Sequence, residues 1–116
     1  MNYTNSIPIY LQVVDSIKEK LITGEIGPGD KLPSGRDLAL QYTINPNTAA
    51  RVYQTLEAEQ LCFSRRGLGT FATEDPIRIQ SLRNEMAQGL IEHFLEGMQR
   101  IGIPPEEAAD MLGNRS

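Results

Sequence analysis

Arg65 and Arg66, adjacent in the run RRGLG, are the residues whose types and spacing most plainly fit a chemistry. Two neighbouring guanidinium groups suit phosphate oxygens or the negative potential of a narrow minor groove, and Gly67 and Gly69 let backbone come close to phosphates. A second set lies upstream. Arg36, Asn45, Asn47, Thr48 and Arg51 are donors and acceptors of the kind that meet base edges and the sugar–phosphate backbone, and Thr70 follows the glycines. The plainer alternatives are a solvated turn for the arginine pair and surface salt bridges to Asp37 or Glu57 for Arg36 and Arg51. Catalysis has no comparable set. His93 with Glu92 and Glu96 is a lone histidine among carboxylates on a wet helical face, and no nucleophile, base and metal cluster converges. The chain is therefore expected to be no enzyme and to need no cofactor.

The elements that must position these groups follow from periodicity and punctuation. Ile9, Tyr10, Val13, Val14, Ile17, Leu21 and Ile22 give a first amphipathic helix, begun by Ser6 or Ile7 with Pro8 in its first turn and ended by Gly24. GEIGPGD is turn, and Lys31 to Pro33 is a short extended piece. Ser34 caps a brief helix to about Tyr42; after Thr43 and Ile44, Asn45 caps a helix from Pro46 to about Gln60 that buries Ala49, Val52, Tyr53 and Leu56. Two short helices joined by so tight a turn form a helix-turn-helix, and helical phase turns Asn47, Thr48 and Arg51 away from the buried stripe. Leu61 to Ser64 and Thr70 to Thr73 are β-prone runs flanking the basic glycine-rich tip, which makes a hairpin wing. Cys62, the only cysteine, sits in an apolar run as a buried hydrophobe, and with one Cys and one His no metal site is expected.

Beyond Asp75 and Pro76 a long helix is expected to reach Arg100 or Ile101, with a second short helix from Pro105 to Leu112. Leu82, Met86, Leu90, Ile91, Phe94, Met98 and Ile101 form a helical stripe. A tail of this length seldom holds a core alone, so the stripe must cover the first domain, a second copy of the protein, or both. The fold class is thus mainly α with a small β-hairpin: a DNA-binding domain over residues 1–75 and a helical tail over 76–116, which is a dimerisation tail where the cover is a second copy. Leu82, Met86, Leu90, Phe94, Met98 and Ile101 are then the expected dimer residues.

Composition sets the limits. With 116 residues, 40% apolar and 22% charged, this is an ordinary globular chain. It has no apolar run long enough for a membrane and no basic-then-apolar leader, so the cytoplasm is the expected compartment. A net charge of −4 and a pI near 4.9 argue against nucleic acid, whose binders usually carry basic patches. Distribution weakens this objection: residues 31–73 hold five basic residues (Lys31, Arg36, Arg51, Arg65, Arg66) against three acidic ones (Asp37, Glu57, Glu59), an excess of two positive charges.

The segments IYLQVVDSIKEKLITGEIGPGDKLPSGRDLA, NPNTAARVYQTLE and RRGLGTFA together resemble the GntR family of bacterial transcription regulators, and the NPNT turn with the short tail resembles its YtrA-like branch. The resemblance covers about Ile9 to Thr73. It implies a winged helix-turn-helix, dimeric binding to a palindromic operator and repression, with Arg36 opening the second helix against DNA, Asn47, Thr48 and Arg51 on the recognition helix, and Arg65, Arg66, Gly67 and Gly69 on the wing. Pro46 and Ala50 stand where the family often has arginine, and Gly35 where it often has glutamate, which implies an operator sequence of this chain's own. In that branch the tail is associated with dimerisation. Two other readings are kept open: a small-molecule effector at the dimer seam, and a winged helix used for protein or RNA contact.

Overall fold

The computed structural model describes residues 6–115. Seven elements follow in order: α1 (Ile9–Thr23), α2 (Gly35–Tyr42), α3 (Pro46–Ala58), β1 (Cys62–Arg65), β2 (Gly69–Ala72), α4 (Pro76–Arg100) and α5 (Pro105–Gly113). They fall into two compact units, one running to Leu82 and the other from Arg83 onward, with α4 continuing from the first into the second. No helix among the described residues is long and apolar enough to cross a membrane.

The helix boundaries have local causes. Pro8 stands just outside α1, not in its first turn: its ψ of 139° is extended, while its carbonyl already accepts from the amides of Leu11 and Gln12. The Ser34 hydroxyl accepts from the Asp37 amide at 3.1 Å and opens α2. Thr43 then takes a left-handed conformation (φ 55°), and the amides of Thr43 and Ile44 bond back to the Leu40 and Ala39 carbonyls, closing α2 in two residues. Asn45 Oδ1 accepts from the Asn47 amide at 2.7 Å, and Pro46 follows at the first helical position. α3 stops at Ala58, earlier than Gln60, because Gln60 is left-handed (φ 60°) and the Leu61 amide returns to the Leu56 carbonyl at 2.9 Å.

Helical spacing delivers the core. Val13, Val14, Leu38, Val52, Leu56 and Leu61 are each at most 1% exposed, and each buried aliphatic side chain contributes about 1.5–3 kcal/mol. α1 and α2 both pack on α3, so the helix that carries the candidate reading residues is held from two sides. The Tyr53 hydroxyl donates to the Pro33 carbonyl, tying α3 to the segment entering α2, and Tyr42 shares a 2.9 Å hydrogen bond with Ser16 of α1. Glu59, just past α3, takes the Lys18 ammonium at 2.8 Å, and its carbonyl accepts from Arg78 Nε at 2.8 Å. One residue thereby joins α1, α3 and the start of α4.

β1 and β2 pair antiparallel with Arg65 opposite Gly69, so the strands extend one residue further toward the tip on each side than the sequence suggested. The loop is Arg66, Gly67 and Leu68, with Gly67 left-handed (φ 78°) and the Leu68 amide bonded to the Arg65 carbonyl at 2.9 Å. The extended piece at Lys31 and Leu32 adds a partial third strand. Lys31 bridges Phe71, and the Leu32 amide bonds the Thr70 carbonyl at 2.8 Å.

The expected dimer stripe divides. Leu82 is only 1% exposed and belongs to the core of the first unit, so it is withdrawn from any surface a second chain could reach. Met86 and Met98 are half-buried, whereas Leu90 and Ile101 are 70% and 72% exposed, with Phe94, Ile91, Met111 and Leu112 also at the surface.

Candidate nucleic-acid interface

The outward face of α3 carries Asn47, Ala50, Arg51 and Gln54, all exposed and spaced by three and four residues, so they form one stripe along the helix. Asn47 and Arg51 are where helical phase puts them. Thr48 is half-buried, and the side-chain oxygen of Asn45 is occupied by the cap, which leaves its amide nitrogen as the group that can face a ligand. Gln54 was not among the residues singled out from sequence. Its position, three after Arg51 and seven after Asn47, is the signal that identifies it, and a glutamine there can pair in bidentate fashion with adenine.

Arg51 makes no salt bridge with Glu57 or any other carboxylate among the described residues. Its guanidinium lies over the ring of Tyr10 in α1, 3.8 Å from the ring centre. The Thr55 hydroxyl donates to the Arg51 carbonyl at 2.8 Å, which leaves its guanidinium donors untouched. Arg36 stands exposed in the first turn of α2, where the Ser34 cap fixes its backbone, and among the described residues it too is without an ion pair.

The hairpin supports one of its cations on an aromatic side chain. Phe63 and Phe71, opposite each other in the ladder, stack with centres 5.9 Å apart, and the Arg65 guanidinium sits 5.3 Å from the Phe63 ring centre. Arg66, at the tip, is exposed and lies over no ring among the described residues. Thr70 faces Ser64 across the ladder and is half-buried, its carbonyl engaged by Leu32.

Gly69 adopts φ 120°, and a methyl group there would come within 2.9 Å of Lys31 Cε. The bare backbone at Gly69 therefore lets Lys31 lie across β2, bringing a third cation to the hairpin. Lys31 precedes the wing by more than thirty residues in sequence, and no local periodicity links the two.

Charge is distributed to match. Residues 83–116 hold six acidic and three basic side chains, which accounts for −3 of the chain's net −4, so the unit bearing α3 and the hairpin is close to neutral overall. The reading face lacks the acidic character that the pI of 4.9 suggests.

Residues 9–72 match the model of the bacterial regulatory proteins, gntR family. The HTH-type transcriptional repressor YtrA of Bacillus subtilis is 44% identical over 101 residues, which span 82% of this chain and 78% of that protein. A GntR family transcriptional regulator from Listeria monocytogenes has a solved structure that superposes with a TM-score of 0.86 at 37% identity, covering 98% of this chain and all of that one. The DNA-binding domain of AraR, solved in complex with the operator ORR3, matches 63% of this chain and 88% of its own length with a TM-score of 0.56 at 27% identity. A capped helix pair, a basic hairpin beside it and this agreement along the chain lead to one conclusion: the protein belongs to the GntR family and is a DNA-binding transcription regulator with a winged helix-turn-helix.

Proposed function

We propose that the protein acts as a homodimeric repressor on a palindromic operator. The observation that carries the dimer is the exposed apolar face of the second unit. Leu90, Ile91, Phe94 and Ile101 on or just after α4, with Met111 and Leu112 on α5, place six large apolar side chains at the surface of this short unit. A second copy is the natural cover, since a self-complementary patch yields closed two-fold symmetry, and two-fold protein symmetry calls for a two-fold site. The name of the relative YtrA supports repression.

In this reading α3 enters a major groove, with Asn47, Arg51 and Gln54 toward base edges and Arg36 on the backbone. The hairpin reaches phosphate or minor groove with Arg65, Arg66 and Lys31, while Gly67 and Gly69 permit close approach. Phe94→Glu tests the dimer. Sedimentation of the wild type should give about twice the 12.9 kDa chain mass, and the variant should run as a folded monomer with lost operator affinity. A wild-type monomer at tens of micromolar, alone and on DNA, would contradict the proposal.

A further inference from the structure

We propose that Tyr10, in the first turn of α1, aims Arg51 at DNA. This rests on the reading of Arg51 as a DNA contact and adds a residue that acts through it. The 3.8 Å separation of guanidinium and ring centre is well inside the roughly 6 Å over which a cation and an aromatic face attract.

The donors of Arg51 decide what this contact is for. A salt bridge would occupy the N–H groups that a base or phosphate needs. At 3.8 Å from the ring centre an edge-on guanidinium would press a nitrogen into the ring, so the Tyr10 ring takes the flat face and leaves the five N–H donors, which lie in the plane, free at the edge. A bidentate pair with guanine O6 and N7 uses that edge, so stacking and base reading are compatible in one conformation. Among the described residues the ring is the sole partner of the Arg51 side chain. A long flexible side chain held this way has less freedom left to lose on binding.

The ring belongs to a different element from the arginine, and that element is fixed. α1 packs on α3 and buries Val13, Val14 and Ile17, and the Gln12 side chain donates to the Ile7 carbonyl at 2.8 Å, pinning the segment before the helix. Tyr10 is half-buried while Arg51 is exposed, so the ring serves as the platform and the arginine as the group it presents.

The test uses the full chain, its selected operator and duplexes changed one base pair at a time. Tyr10→Leu should lose about two- to five-fold in affinity, the loss confined to the base pair that Arg51→Ala also ceases to discriminate. Its salt slope should equal wild type, because no phosphate contact is removed. Tyr10→Phe should restore binding. Pentafluorophenylalanine at position 10 keeps the shape but reverses the ring quadrupole, so it should behave like leucine and gives the answer even if Tyr10→Leu does not fold. In the Arg51→Ala background the Tyr10→Leu loss should vanish. Equal losses in both backgrounds, or a fluorinated ring as good as the natural one, would make Tyr10 a packing residue and overturn the proposal. If Arg51→Ala itself binds as wild type, the DNA reading of Arg51 falls and the proposal with it. A loss in Arg51→Ala with wild-type binding in Tyr10→Leu removes the positioning role alone.

Discussion

Arg51, Arg65 and Arg66 carry one charge in three settings, and the settings predict different behaviour. Arg51 and Arg65 each lie over an aromatic ring, at 3.8 Å from Tyr10 and 5.3 Å from Phe63, whereas Arg66 projects from the hairpin tip. An unsupported cation suits phosphate, which asks for charge rather than aim. Arg66→Ala should therefore weaken operator and unrelated duplex by similar factors and lower the salt slope by about 0.9. Titration at several salt concentrations checks this, and an unchanged slope would take Arg66 off the interface. Cys62 makes a second case at this scale. Burial, with Glu57 adding to it, pushes its thiol up to about 11 from the ordinary 9.0. The raised value means that its share of stability is complete below pH 9.0 and is lost as pH climbs through about 11. At pH 8 a thiol reagent should label Cys62 slowly in the native protein and rapidly in denaturant. Rapid native labelling would show the site to be open. Residue types announced the caps at Ser34 and Asn45 and the buried cysteine, because those depend on near neighbours. The Tyr10 platform and the Lys31 contribution to the hairpin depend on contacts across the fold, which spacing along the chain does not encode.

At the scale of elements, the α2–α3 turn sets the angle at which the reading helix is offered. It holds a β-branched residue, Thr43, at φ 55°, where a glycine is ordinarily favoured. The left-handed region costs an L-residue about 1–2 kcal/mol, and glycine returns about 0.5–1 of that as backbone entropy, so Thr43→Gly should stabilise by about 0.5–1 kcal/mol. Urea unfolding measures it, and a loss of stability would mean that the Thr43 side chain contributes something its conformation conceals. The seven elements were legible from apolar period and capping residues, and the departures have local causes: Gln60 turns left-handed, and the three-residue loop draws Arg65 and Gly69 into the ladder. Leu82 shows the limit of a stripe. Its spacing matches Met86 and Leu90, yet it is buried in the first unit while Leu90 is 70% exposed, because period identifies a face without saying what covers it.

For the whole molecule, two properties that looked contradictory are reconciled by where they reside. The net negative charge falls mostly after residue 82, −3 of the −4, and the arginines that face DNA in the proposed complex lie before it, so the unit that carries them is close to neutral. Of the exposed large apolar side chains, Leu90, Ile91, Phe94, Ile101, Met111 and Leu112 lie in the acidic second unit and Ile7, Ile9, Leu40, Leu68 and Ile77 in the first; in the proposed complex the second unit associates and the first reads DNA. In the proposed complex two copies of α3 read one symmetric site, and selection of bound duplexes from a random library at about physiological salt is the decisive measurement. A two-fold symmetric motif is expected, its half-sites on the order of 10 bp or somewhat more apart, with Arg51→Ala relaxing the same base pair in both halves. Enrichment of a single asymmetric half-site, or no enrichment over the starting library, would contradict it.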